Sequence, residues 1–361
     1  MENRKETRVL RVDPSHPEPA VIRAAAEVIK RGGTVAFPTE TVYGLGANAL
    51  HPEAVKKIFH AKGRPSGNPL IAHIASLDQA RALVADWPPA AEGLARRFWP
   101  GPLTLILLRA SLVPDEVTAG LPTVALRLPA HPVALALIEA SGVPIAAPSA
   151  NISGRPSPTR ASHVLADLAG KIDLILDGGA TEVGVESTIL DLSGPRPVLL
   201  RPGGISKEEL EATLETEVPL HPAVLQGVAG ESRGDLDVAP SPGTLFKHYA
   251  PAARVLVVTG TPEEQVVKIK NYLTGHPGVR VGVLATSENY SFYQAQGVTP
   301  AHLEILGSRH CPEEIANRLF SALRKCDEVG VEAILVETIP VAGIGLAVMN
   351  RLTRAAENRA L

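Results

Sequence analysis

The sequence predicts a mixed α/β protein built as two domains, a twisted sheet covered by helices over residues 8–212 and a smaller α/β domain over 252–361, joined by a linker at 213–251. Three observations carry this. Short, strongly apolar runs alternate with segments of helical spacing, the pattern of a sheet shielded on its faces. Glycine (31) and proline (32) punctuate those runs and mark where elements begin and end. The length of 361 residues corresponds to about two domains at ~150 residues each, and between 213 and 251 the apolar pattern gives way to Pro, Gly and polar residues, as a linker does.

Taken in order, Pro19 leads a stretch of helical spacing over 20–30 that Gly32-Gly33 stops. Residues 34–37 form an apolar run ended by Pro38, a strand feeding a loop over 39–46. Pro52 opens a second helix that ends near Ala61. Strands are expected at 70–74, 103–108, 123–128, 144–147, 172–176, 188–192 and 197–200, with helices at 77–84, 90–98, 132–140 and 160–168 between several of them. Adjacent strands near the end of this series imply some antiparallel pairing. Beyond the linker, strands at 254–258, 279–284 and 333–336 alternate with helices at 262–273, 312–326 and about 346–358, the rhythm of a parallel sheet. Residues 288–308 fit neither period.

Composition excludes several classes of function. Lys and Arg total 35 against 38 Asp and Glu, a net charge of −3, with no run of five or more cations. That balance argues against nucleic-acid binding driven by phosphate neutralisation, so no stable nucleic-acid complex is expected. Cys311 and Cys326 are too few for a disulfide framework and wrongly spaced for a CxxC site. The first 14 residues lack an apolar leader, and no later segment offers about 18 uninterrupted apolar residues, so the expected location is the cytoplasm, away from membranes.

Familiar signatures are missing: there is no GxxxxGK[ST] and no HExxH. Gly230-Glu231-Ser232-Arg233-Gly234 matches GxSxG but lies in the linker, without the strand-to-helix turn a nucleophile elbow needs. Gly44-Leu45-Gly46-Ala47-Asn48-Ala49 fits GxGxx[GA]. It is read as tight-turn glycines, because 39–43 separate it from the preceding strand and Lys62 and Arg64 stand where an acidic residue should be.

Five polar clusters fall where loops leave strands or on the strands themselves. Pro38-Thr39-Glu40-Thr41-Val42-Tyr43-Gly44 is hydroxyl-rich and by itself reads as a turn before it reads as a site. Lys62-Gly63-Arg64-Pro65 with Asn68-Pro69-Leu70 puts two cations on a stiff loop. They suit either a helix C-terminus or a polyphosphate. On strands, the two-residue period turns His73 away from Leu70, Ala72 and Ile74, and Arg127 away from Val124, Leu126 and Leu128. An Arg in an apolar strand needs an anion, which a carboxylate ligand or an internal Asp or Glu would supply. Ser149 and Asn151, in Pro148-Ser149-Ala150-Asn151, share one side of an extended chain and precede Ser153-Gly154-Arg155-Pro156-Ser157. The fifth cluster is Glu186-Ser187-Thr188 with Arg201-Pro202-Gly203-Gly204. Trp99-Pro100-Gly101-Pro102 is read as packing that ends a helix. No His/Cys/Asp/Glu group has metal-ligand spacing, so a metal would arrive as Mg²⁺ with a nucleotide. Cations, hydroxyls and amides without an obvious acid/base pair suit displacement at phosphorus.

Pro38-Thr39-Glu40-Thr41-Val42-Tyr43-Gly44-Leu45, Lys62-Gly63-Arg64-Pro65, Asn68-Pro69-Leu70, Trp99-Pro100-Gly101-Pro102, Ser149-Ala150-Asn151 and Arg201-Pro202-Gly203, in this order, resemble the YrdC-like family over residues 8–212. Ser241-Pro242-Gly243, His248-Tyr249-Ala250-Pro251 and Gly343-Ile344-Gly345 with Asn350-Arg351-Leu352 resemble the linker and second domain of its two-domain form. The resemblance implies a YrdC-like twisted mixed sheet and a Rossmann-like C-terminal domain. It also implies a reaction in which L-threonine, bicarbonate or CO₂, and ATP with Mg²⁺ give threonylcarbamoyl-AMP and pyrophosphate. A separate tRNA threonylcarbamoyl transferase complex then uses the product to modify the adenosine beside the anticodon. By the same resemblance Lys62 and Arg64 face the ATP phosphates, joined by Asn68, Thr123, Ser149, Asn151, Ser157, Arg201, His248 and Tyr249. Threonine would meet Thr41, His73, Arg127, Ala147 and Ser187, with Arg127 on its carboxylate.

In two-domain relatives the end of the linker covers the mouth of the site, which makes 241–251 a candidate lid that keeps water from the product. Here Thr244-Leu245-Phe246 stands where relatives more often have a Met-Lys-Tyr type of triplet, with Lys247 as a substitute cation. An RNA-binding or ribosome-maturation factor is the competing expectation. The charge balance, and the absence of interleaved basic and aromatic residues, oppose it. A larger carbamoyl-adenylate enzyme is opposed by the missing zinc-finger-like cysteines.

Overall fold

A computed structural model describes residues 6–222, 224, 239, 249–295, 297 and 299–361. The GxSxG match, Ser241-Pro242-Gly243, the Thr244-Leu245-Phe246 triplet, Lys247 and His248 lie outside the described residues. The described chain divides into two units, the first holding residues up to 222 and Ala239 but not Gly154–Pro156, the second holding Val224 and the described residues from 249 onward together with Gly154–Pro156.

Ten strands form the first unit's sheet: β1 (Arg8–Arg11), β2 (Val35–Phe37), β3 (Gly44–Asn48), β4 (Ile71–His73), β5 (Leu103–Leu108), β6 (Thr123–Arg127), β7 (Ile145–Ala146), β8 (Leu174–Asp177), β9 (Thr188–Asp191) and β10 (Val198–Arg201). Their order is β1-β8-β2-β3-β7-β4-β6-β5-β9-β10. Pairing is mixed: β4 runs parallel to β6 and β5 to β9, while β5 with β6 and β9 with β10 are antiparallel. The helices are α1 (Pro19–Lys30), α2 (Pro52–Lys62), α3 (Leu77–Ala82), α4 (Pro89–Phe98), α5 (Asp115–Thr118), α6 (Pro132–Ser141), α7 (Ala161–Leu168) and α8 (Lys207–Leu214). Proline at the first turn starts α1, α2, α4 and α6, where its missing N–H costs nothing. Left-handed glycines close α2 at Gly63 and α6 at Gly142. Large apolar clusters fill both faces of the sheet, one including Leu45, Leu94 and Leu126, the other Ile29, Leu137 and Leu176. The chain keeps packing on the first of these past 212, where Val218 is a member and Leu220 bridges to Leu199.

The glycine-rich run Gly44-Leu45-Gly46 corrects one expectation, since it is strand β3, antiparallel to β2 and β7, and not a tight turn. Tertiary crowding explains the glycine: a Cβ on Gly46 would stand 2.6 Å from Ile145 Cγ2 and 2.7 Å from Phe37 Cε1, far inside van der Waals contact.

The second unit has one four-stranded, wholly parallel sheet of β11 (Arg254–Val258), β12 (Val281–Thr286), β13 (His302–Gly307) and β14 (Ala333–Glu337), ordered β11-β14-β12-β13. Helices Pro262–Gly275, Pro312–Val329 and Gly345–Ala355 accompany it. Residues 288–308, unassigned from sequence, hold a short helix, Tyr290–Ala295, and β13. No described helix is long and apolar enough to cross a membrane.

Candidate active site

The site is built on the centre of the ten-stranded sheet. In the parallel register of β4 and β6, His73 lies opposite Arg127. Alternation puts Arg127 on the face shared with Ala125 and Thr123, and His73 on the face shared with Ile71. Ile71, Ile106, Ala125, Ile189 and Leu200 form a small apolar cluster distinct from the two large cores. Arg127 is 4% exposed, so its charge needs a counterion. That counterion is internal: Glu40, in the loop between β2 and β3, brings Oε1 to 2.7 Å from Arg127 Nη2. The guanidinium Nε also donates to the Gly101 carbonyl at 3.4 Å. Burial first, and the Arg127 charge second, push the His73 imidazole down to about 3, so the ring is neutral at physiological pH. Burial also lowers His131, against the pull of Glu40 and Glu182.

Lys62 ends α2 and is buried. Its Nζ donates to the carbonyl oxygens of Ser149 and of Asn151, the latter at 2.5 Å, tying the helix end to the loop after β7. In that loop Ser149 Oγ donates to Asn151 Oδ1 at 2.6 Å. Arg64 reaches across its own loop, Nη2 donating to the Pro69 carbonyl at 3.0 Å and Nε to the Asn68 carbonyl at 3.3 Å. Asn68 is fully buried, and neither side-chain atom finds a hydrogen-bond partner among the described residues. A buried amide left unmatched costs free energy unless a ligand meets it.

A third group surrounds Ser187. Its Oγ shares a hydrogen bond of 2.8 Å with Thr104 Oγ1 and accepts from Arg201 Nη2 at 3.0 Å, while its carbonyl accepts from Arg201 Nε, also at 3.0 Å. Ser157 Oγ donates to Glu186 Oε1 at 2.5 Å. Gly203 makes this packing possible, since a Cβ there would lie 2.3 Å from the Glu186 carbonyl oxygen and 2.3 Å from the Thr188 nitrogen.

Of the residues read from sequence, the structure therefore brings Lys62, Ser149 and Asn151 together, Arg64 with Asn68, His73 with Arg127, and Ser187 with Arg201. Thr41 Oγ1 lies 2.8 Å from Thr39 Oγ1, and Ala147 is fixed by its N–H to the Ile71 carbonyl at 2.9 Å. Thr123 opens β6 at the strand's other end from Arg127, about 13 Å along it. Tyr249 belongs to the second unit, where its ring stacks on Phe320 at 5.4 Å beneath the Arg351 guanidinium. Sequence reasoning set Thr39, Glu40 and Glu186 within its polar clusters and allowed an internal acid for Arg127, but gave none of the three a role, did not identify Glu40 as that acid, and left out the Thr104 hydroxyl. The available signal was Glu40 itself, an acid between two threonines in a loop joining two apolar strands. No group of three or more His, Cys, Asp or Glu residues that could hold a metal occurs among the described residues. A cleft of ≈ 640 Å³ bordered by Lys56, Lys57, His60 and Lys171 contains none of the candidate residues.

Comparison with known proteins adds identity to this geometry. A family model described as "Telomere recombination" matches residues 27–203, and one described as "Threonylcarbamoyl-AMP synthase, C-terminal domain" matches 205–357. The chain is 52% identical over 340 residues to the threonylcarbamoyl-AMP synthase of Pyrococcus abyssi, covering 94% of each, and 49% identical over 345 residues to that of Bacillus subtilis, covering 95% of each. Among solved structures it is similar to Pyrococcus abyssi Sua5 complexed with L-threonine, with a TM-score of 0.90 and 50% identity over 98% of this chain and 99% of that one.

Proposed function

We propose a mechanism from one premise: this chain belongs to the threonylcarbamoyl-AMP synthase family. The function is the synthesis of threonylcarbamoyl-AMP, the activated precursor of a tRNA modification. The observation that carries the assignment to the first unit is the buried Arg127 on β6, in register with a neutral His73. Arg127 takes the threonine carboxylate as a planar fork. Thr41, Ala147 and Ser187 line the same pocket, His73 offering a neutral ring.

ATP lies along Lys62, Arg64, Asn68, Thr123, Ser149, Asn151, Ser157 and Arg201. The unmatched amide of Asn68 supports a ligand there. His248 lies outside the described residues and Tyr249 within the second unit, so the reading rests on the eight residues of the first. Once the threonine amine carries CO₂ from bicarbonate, a carbamate oxygen attacks the α-phosphorus, the bond to the β-phosphate oxygen breaks, and pyrophosphate leaves. Lys62 and Arg64 stabilise the charge on that leaving group, and positioning supplies most of the remaining rate. With no protein cage for a cation among the described residues, Mg²⁺ would be held by phosphate oxygens and water and would neutralise phosphate charge. The chain works in the cytoplasm and hands its product to a tRNA threonylcarbamoyl transferase complex.

The test is pyrophosphate release by the purified protein without RNA, with mass spectrometry of the products. Release should require threonine, bicarbonate and ATP together, and an adenylated threonylcarbamoyl adduct should accumulate. Release that needs RNA, or no adduct, would overturn the reading.

A further inference from the structure

Glu40 is a buried carboxylate that the steps above do not use. It is 6% exposed, and its backbone is fixed, the carbonyl accepting from Val183 N at 2.8 Å. Neither Oε1 nor Oε2 receives a directed hydrogen bond among the described residues, and Arg127 Nη2 likewise lacks one. Their 2.7 Å contact is therefore an attraction of charges without hydrogen-bond direction. The other buried carboxylate of the site, Glu186, is engaged by Ser157. A buried ion pair with unused acceptor positions is expensive to maintain, and it complements a ligand that brings both a carboxylate and an N–H donor. An α-amino acid zwitterion is such a ligand.

Resting on the proposed function, we infer that Glu40 binds the threonine ammonium beside Arg127 and accepts the proton that must leave it before carbon is added. The overall step is balanced: ammonium plus bicarbonate gives carbamate, water and one proton. The nitrogen lone pair freed by deprotonation forms the N–C bond, the C–O bond to the departing water breaks, and the released proton resides on Glu40 Oε. The physics favours this order. When the substrate carboxylate neutralises Arg127, the remaining buried charges are the ammonium and Glu40. Moving one proton between them removes both charges from a low-dielectric site. The other titratable groups around the pair are His73, opposite Arg127 and neutral, and His131, which lies within electrostatic reach of Glu40 and of Glu182.

The experiment compares wild type, Glu40→Gln and Glu40→Asp in threonine-dependent pyrophosphate release from pH 6.5 to 9.5, alongside calorimetric threonine binding. Glu40→Gln is expected to lose about 100-fold or more in kcat at pH 7 and to recover about tenfold per pH unit as the free amine titrates. Equal loss at every pH, or full activity at pH 7, would overturn the role. Glu40→Asp keeps the charge beside Arg127 and so covers the case in which the glutamine variant does not fold. It should lose about tenfold or more in kcat while threonine affinity stays within about threefold, and a wild-type rate would overturn the inference. Should wild type itself release no pyrophosphate, the functional reading fails rather than the assignment of Glu40.

Discussion

At the scale of single residues, the two arginines on which the site turns are held in different ways, and their loss should separate by substrate. Arg127 is buried against Glu40, whereas Arg64 is partly exposed and braced on the Asn68 and Pro69 carbonyls. Arg127→Lys keeps a charge beside Glu40 but loses the fork, and should raise KM for threonine by about 10- to 100-fold, the loss of one charge-assisted contact of about 1.5–3 kcal/mol. Its KM for ATP should stay within about threefold. Arg64→Ala should do the reverse, read by varying each substrate in turn, and indistinguishable defects would refute the pocket assignment. His73 gives a pH prediction with a definite sign. Its folded pKa, about 3, lies below the ordinary 6.5, so in acid the unfolded chain binds a proton that the folded one refuses. The contribution to stability is complete above pH 6.5 and falls by about 1.4 kcal/mol per pH unit toward pH 3. Relative to pH 7, wild type should lose about 2 kcal/mol more than His73→Gln by pH 5, measured by urea unfolding. Equal acid slopes would refute it. His73 and Arg127 were legible in the sequence because a polar residue inside an apolar strand violates the strand's own period. The pairing of Glu40 with Arg127 was not, because an acid in a loop breaks no local rule, and only the fold carries Arg127 to it.

At the scale of elements, β3 shows why part of the architecture was hidden. Gly44-Leu45-Gly46 has neither the β-branched residues nor the alternation that announce a strand. Its glycines answer to Phe37, Ile145 and Ala147 on neighbouring segments, which one-dimensional reading does not reach. The helices led by Pro19, Pro52, Pro89 and Pro132 were legible because their start signals are local. Gly203 belongs with β3: its reason lies across the fold, in the backbone of residues 186–188. Gly203→Ala should therefore push Glu186-Ser187-Thr188 away from the turn after β10 and cost about 1–3 kcal/mol. Because Arg201 grips the Ser187 carbonyl, threonine KM should rise along with the loss of thermal stability. A lower Tm with unchanged KM would show that the turn supports the fold without shaping the pocket.

At the scale of the whole molecule, each unit holds an apolar cluster of its own among the described residues. One cluster of the second unit draws on Leu256, Ile269, Val283, Tyr293 and Leu335, and among the described residues all its members belong to that unit. Its sheet is separate as well, so hydrogen-exchange protection in the two sheets should respond separately to a local insult. Glu337, at the end of β14, is the place to apply one. Buried, it accepts from Thr286 N at 2.8 Å, Thr286 Oγ1 at 2.7 Å, Asn289 Nδ2 at 2.9 Å and the Tyr293 hydroxyl, with the Arg309 guanidinium 3.6 Å away. Burial, followed by the Glu337 charge, raises the Tyr293 hydroxyl well above its ordinary range and keeps it a donor. Removing the carboxylate leaves the Thr286 N–H and the Tyr293 hydroxyl without this acceptor, while Arg309 keeps Glu288 at 3.8 Å and Asn289 keeps the Pro262 carbonyl, an effect of about 1–3 kcal/mol for each buried donor left unmatched. In Glu337→Ala, exchange should accelerate in β11 to β14 while β4, β5 and β6 keep wild-type protection, as followed by mass spectrometry of peptides from each sheet. Threonine-dependent pyrophosphate release should persist, because the residues assigned to both substrates within the described chain, Tyr249 apart, hang on the ten-stranded sheet. Exchange rising equally in both sheets would mean that the chain unfolds as one cooperative body, and that the second sheet is part of what holds Arg127 and Lys62 in place.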